Sequence, residues 1–121
     1  MILLKVSYRV RAHHILPFEQ IFEQEIVPLI REHGLGFQGI WKSRVGNAGE
    51  FLELWQFEDL ADFDRRWGAL MGDERLLKIF ERTGPMVEEE NFSVFEPVGI
   101  RGDLTQRRKD AKGERKERVS E

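Results

Sequence analysis

Hydrophobic patterns of period two and period 3.6 follow one another in this chain in a single order: strand, helix, strand, strand, helix, strand. That order restricts the fold more than any other feature. Residues 2–12 alternate, with Leu4, Val6, Tyr8 and Val10 on one side and Lys5, Ser7, Arg9 and Arg11 on the other. After a connection at His13 to Leu16, Pro17 suits a first helical position. Phe18, Ile21, Phe22, Ile26, Leu29 and Ile30 then recur at helical spacing down to His33. Pro28 removes one helical hydrogen bond and predicts a kink, and Gly34 suits the residue after the helix.

Residues 36–45 make a second strand, and GNAG (46–49) is a turn-rich link to a third, FLELWQF. Asp59 is a good N-cap for a helix that turns Leu60, Phe63, Trp67 and Leu70 inward. Gly72-Asp73 interrupts it, Glu74 to Thr83 resumes it, and Gly84-Pro85 stops it. Residues 90–96, ENFSVFE, supply the last strand. The expected fold is α+β: a ferredoxin-like βαββαβ sandwich, an antiparallel sheet with both helices on one face.

Two helices cover only one face of such a sheet. The third strand places Phe51, Glu53, Trp55 and Phe57 on one side and Leu52, Leu54 and Gln56 on the other. The aliphatic face of the first strand belongs under the helices. The aromatic face of the third is then expected to look away from them. Leaving three aromatics in water costs about 2 kcal/mol each, so that face predicts a pocket, or an interface closing two sheets face to face in a homodimer.

Three segments, GIWKSRVG (39–46), FLELWQFEDL (51–60) and ENFSVFEP (90–97), resemble the NIPSNAP-type domain of the dimeric α+β barrel superfamily. Gly39, Trp41 and Gly46 match that family's second strand and turn, with Ile40 in place of an aromatic. Leu54 and Trp55 match its third strand, with Glu53 where histidine is common and Phe57 for tyrosine. Asn91 matches an asparagine on the last strand and Arg9 an arginine on the first. The resemblance implies a homodimer, with a pocket between sheet and helices or inside each half-barrel. The wider superfamily includes cofactor-free monooxygenases, haem-degrading enzymes and ligand-sensing modules, so it does not choose a reaction.

The chemistry-bearing residues converge on few candidates. With the first and third strands as neighbours, Glu53 is expected opposite or diagonal to Arg9 or Arg11. It is then either half of a cross-strand ion pair or a carboxylate that binds a ligand or moves a proton. Glu53, Arg9 and His13 are the catalytic candidates, and Arg9, Arg11, Glu53, Trp55, Phe57 and Asn91 the ligand-binding ones. Tyr8 falls on the helix-covered face, where its hydroxyl needs a partner. Adjacent His13 and His14 lack metal-ligand spacing, so no metal and no cofactor is expected. With no cysteine, thiolate chemistry and disulfides are excluded.

Charge divides the chain. Residues 1–100 hold 11 Lys/Arg against 17 Asp/Glu, and residues 101–121 hold 8 against 5. The expected organisation is a barrel domain over 1–100 and a charged, disordered or loosely helical C-terminal tail over 101–121. In the tail Arg107, Arg108 and Lys109 interleave with Asp110, Glu114 and Glu117, which argues against nucleic acid as a partner. The N-terminal run meets a charge at Lys5, too early for a signal-peptide core or a membrane span, so a cytoplasmic location is expected. Three functions stay open: binding of a small, partly apolar ligand, cofactor-independent catalysis of a monooxygenase or isomerase type, and a purely structural dimer.

Overall fold

The computed structural model describes residues 1–100. The expectations for the tail at 101–121 lie outside the described residues. Four antiparallel strands, β1 (Ile2–Val10), β2 (Gly36–Lys42), β3 (Glu50–Phe57) and β4 (Val87–Phe95), form one sheet in the order β2-β3-β1-β4. This is the ferredoxin-like topology expected from the element order.

The first crossover is helical from Ile15 to His33 in three pieces: α1 (Ile15–Ile21), a π turn (Phe22–Ile26) and α2 (Val27–His33). The irregularity expected at Pro28 takes the form of this π turn just upstream. Pro28 has no N–H to continue the α ladder, and the Val27 N–H donates instead to the Phe22 carbonyl, five residues back. The turn keeps Phe22 and Ile26 both buried against the sheet. Gly34, at φ 66°, ends the helix in the left-handed conformation and donates to the Arg31 carbonyl.

The second crossover is α3 (Leu60–Met71) and α4 (Glu74–Thr83). Asp59 caps α3 by accepting from the Asp62 N–H at 2.8 Å, and the buried Asp62 carboxylate returns a bond to the Glu58 N–H at 2.9 Å. Asp73 caps α4 and holds His33 at 2.9 Å, while Arg75 bridges Asp73 and Glu32. The end of the first crossover is thereby tied to the start of α4. The Arg75 and His33 hydrogen bonds hold the Asp73 carboxyl well below the usual carboxylate range.

Several boundaries differ from the sequence expectation. β1 ends at Val10, because Ala12–His14 forms a 3-10 turn that leads into a helix two residues before Pro17. β4 starts at Val87 rather than 90, since the 3-10 turn Gly84–Met86 delivers the chain directly onto Val10.

The face assignment of β3 is the main correction. Tyr8 lies opposite Phe51, Val6 opposite Glu53, Leu4 opposite Trp55 and Ile2 opposite Phe57. Cross-strand partners share a face, so the aromatic side of β3 continues the aliphatic side of β1 beneath the helices. Phe51, Trp55 and Phe57 are all buried there. Alternation cannot choose between the two sides of β3, because Leu52 and Leu54 make the other side apolar too. The larger aromatic area takes the fully covered side, where it gains most from leaving water. The open face instead carries Leu3, Lys5, Ser7 and Arg9 from β1, with Leu52, Leu54 and Gln56 from β3. Trp41 and Phe95 join it, half exposed at 49% and 51%.

Candidate functional site

The helices do not fill the space above the sheet. Between Val6, Tyr8, Glu53 and Trp55 on the sheet and Phe22, Ile26, Trp67, Leu70 and Thr83 on the helical layer lies a cavity of about 430 Å³. Its size is that of a small-molecule site. The exposed residues of its lining, Phe80, Gly84, Glu89, Glu90 and Phe92, place the mouth between the end of α4 and the start of β4.

One polar cluster stands inside. Glu53 is 7% exposed and accepts two hydrogen bonds, from the Tyr8 hydroxyl to Oε2 and from Trp55 Nε1 to Oε1 at 3.1 Å. Tyr8 is opposite Phe51, one same-face step along β1 from the residue opposite Glu53, so diagonal pairing brings hydroxyl and carboxylate together. Burial pushes the Glu53 carboxyl up to about 7, against the lowering effect of the Tyr8 and Trp55 donors. The charge of Glu90 raises it further. Burial, then the Glu53 charge, holds the Tyr8 phenol far above its ordinary range, so it stays a neutral donor.

The mouth owes its shape to a β-bulge. The β1–β4 register shifts between Ser7 and Arg9, and Glu89 adopts φ 56°, a left-handed conformation uncommon for a residue with a side chain. The bulge sets three consecutive glutamates, Glu88, Glu89 and Glu90, along the rim.

Of the residues singled out in the sequence, Glu53 and Trp55 line this cavity. Arg9 and Arg11 do not. Arg9 donates to the Ala48 carbonyl at 2.8 Å and lies 3.6 Å from Glu89, and Arg11 pairs with Glu88 at 2.7 Å. Neither reaches Glu53, because odd-numbered β1 residues face the opposite side of the sheet from it. Phe57 is buried against Phe63, with ring centroids 5.3 Å apart, and stands outside the cavity lining. Asn91 is exposed opposite Ser7 and donates to the Glu89 carbonyl at 3.1 Å. His13 is exposed in the turn after β1, beside His14.

Tyr8, Trp67, Thr83 and the glutamate run were not singled out as site residues. The signal for Tyr8 was present in its buried hydroxyl, which required a partner. The other three depend on tertiary placement. Among the described residues, no three His, Asp or Glu side chains gather as metal ligands, and no helix is long and apolar enough to cross a membrane.

Comparisons with known proteins agree with the fold. A family model described as NIPSNAP matches residues 5–100. Among curated proteins no sequence matches. A crystal structure from Agrobacterium tumefaciens superposes with a TM-score of 0.77 at 22% identity, covering 84% of this chain and 98% of that one. A NIPSNAP domain protein from Burkholderia xenovorans gives 0.76 at 19% identity, covering 85% of this chain and 100% of that one. A candidate antibiotic biosynthesis monooxygenase from Deinococcus radiodurans gives 0.64 at 12% identity, covering 86% and 99%. At these identities the likeness is one of fold, the ferredoxin-like α+β fold.

Proposed function

This chain belongs to the NIPSNAP family, and from that premise we propose that it binds a small, mainly apolar molecule in the cavity above Glu53. The observation that carries the reading is a buried carboxyl held by two neutral donors and facing an open cavity rather than a cation. A side chain serving only the architecture would be expected to sit in a filled core with its charge neutralised by an arginine. Among the described residues Glu53 has neither a filled surround nor an arginine, and exposing its remaining acceptor capacity to a ligand gives it a role.

A second reading, cofactor-independent catalysis, draws on the titration of Glu53 near 7. A carboxylate poised there can take a proton from a bound substrate and return it, with the Tyr8 hydroxyl steadying the charged form. The unit we propose is a homodimer formed through the open face. Its support is the band of Leu3, Leu52 and Leu54 flanked by Trp41 and Phe95. Gly39, at φ 143°, leaves room for the Trp41 ring to lie across it, where a Cβ would stand 3.2 Å from the ring.

Native mass spectrometry of freshly purified protein, together with 4-phenylbutanol titrated against tryptophan fluorescence, tests the binding reading. The expected result is a small-molecule adduct that Glu53→Gln loses, and a saturable fluorescence change from Trp55 and Trp67. An adduct-free spectrum with no fluorescence response to millimolar 4-phenylbutanol, nor to its amine and carboxylate counterparts, would overturn it.

A further inference from the structure

The cavity is polar in only one electrical sense. Among the described residues no Lys, Arg or His side chain lines it, whereas Glu53 stands inside and three glutamates stand at the rim. Arg11 and Arg9 pair with Glu88 and Glu89, which leaves Glu90 without a cationic partner among the described residues. Its charge reaches both Glu53 and Tyr8. Beyond the bulge Glu90 and Phe92 share a face of β4, and Phe92 lies opposite Val6 on the cavity side of the sheet. Thr83, at the end of α4, is 4% exposed and lines the cavity, and its side chain makes no capping bond to the 3-10 turn that follows. Acceptors therefore come from three elements: β3, β4 and α4.

The walls add a second independent preference. Trp67 stands edge-to-face with Trp55 at 4.9 Å and with Phe92 at 6.2 Å between centroids. Trp55, Trp67 and Phe92 all line the cavity, and the π faces of aromatic rings attract cations.

We propose that the ligand of this site is an organic primary amine, its ammonium group held between Glu53, Glu90 and the Thr83 hydroxyl and its apolar body against the aromatic walls. This rests on the ligand-binding reading above and names the ligand's chemical class. An ammonium carries three donors and no acceptor, which matches a pocket rich in acceptors. An anionic head would meet two carboxylates and, among the described residues, no compensating charge. Arg9 and Arg11, ligand-binding candidates from the sequence, do not line this cavity.

Binding must also couple to protonation. The groups that face Glu53 are Tyr8 from β1, Trp55 on its own strand and Glu90 from β4, while the helical lining contributes no titratable side chain. The ammonium prefers ionised Glu53, so binding expels the proton that burial favours. With Glu53 titrating near 7, affinity should fall about ten-fold from pH 8 to pH 6.

Three near-isosteric probes test this by isothermal titration calorimetry: 4-phenylbutylamine, 4-phenylbutanol and 4-phenylbutyrate. The amine is expected to bind at least ten-fold more tightly than either other probe at pH 8. At pH 6, measured in two buffers of different ionisation enthalpy, it should release a proton. Glu53→Gln should abolish the preference, and Glu90→Gln, at an exposed position that does not threaten folding, should reduce it several-fold. Equal or tighter binding of the alcohol or the carboxylate would overturn the amine assignment and leave the cavity as a ligand site. Absence of binding by all three at millimolar concentration would overturn both. A preference unmoved in Glu90→Gln would place the cation elsewhere and reject the site.

Discussion

Replacing Glu53 by Gln should change the slope of stability against pH more than stability at any one pH. In the folded chain Glu53 titrates near 7, whereas an unperturbed glutamate titrates at 4.5. Between these values the folded state binds more protons than the unfolded state, so stability falls as pH rises through that window. The gap corresponds to a penalty of about 3 kcal/mol once the group is ionised in both states. Most of it, about 2.5 kcal/mol, develops between pH 5 and pH 8. Gln does not ionise and should lack this slope. It carries a constant cost instead. Its amide nitrogen cannot accept, so one of the two donors, the Tyr8 hydroxyl or Trp55 Nε1, loses the carboxyl oxygen it faces, a loss of about 1–2 kcal/mol. The variant should therefore be less stable than wild type at pH 5 and equally or more stable at pH 8. Urea unfolding followed by tryptophan fluorescence at fixed protein concentration measures both curves. Curves that stay parallel within about 0.5 kcal/mol from pH 5 to pH 8 would refute the reasoning, because the burial of an uncompensated carboxyl would then be wrong.

Other expectations follow from the same geometry. Tyr8→Phe removes a donor that favours ionised Glu53, so the steep part of the stability curve should move to higher pH, with a loss of about 1–2 kcal/mol in acid as well. An unshifted curve would mean that the hydroxyl does not govern Glu53. Leu54→Arg places a charge in the middle of the open face, across from Lys5, and should convert a dimer into a monomer with an unchanged circular dichroism spectrum. Light scattering that finds wild type already at the mass of one chain, or the variant still at twice that mass, would reject the proposed interface.

The element order was legible in the sequence because each segment has a single dominant period, and caps such as Asp59 and Gly34 mark where the period changes. Topology followed, since strand-helix-strand-strand-helix-strand has few compact solutions. Which face of β3 lies under the helices was not legible. Phe51, Trp55 and Phe57 compete there with Leu52 and Leu54, and only pairing with β1 decides between them. That one choice moves Glu53 from beside Arg9 to beside Tyr8, and it turns an expected ion pair into an unneutralised buried acid. The unsatisfied hydroxyl of Tyr8 on an aliphatic face was the available clue. The glutamate rim depends on a bulge in β4, and nothing in the run EEENFSVF distinguishes a bulged strand start from a charged linker.

Carbon-13 detection of the Glu53 side-chain carboxyl through a pH titration, with Glu53→Gln to assign the signal, bears most directly on the central claim. A midpoint near 7, falling when 4-phenylbutylamine is added, is the expected result. A midpoint near 4.5 that the amine leaves in place would contradict the account, for Glu53 would then be an ordinary carboxylate and the cavity would have no polar anchor.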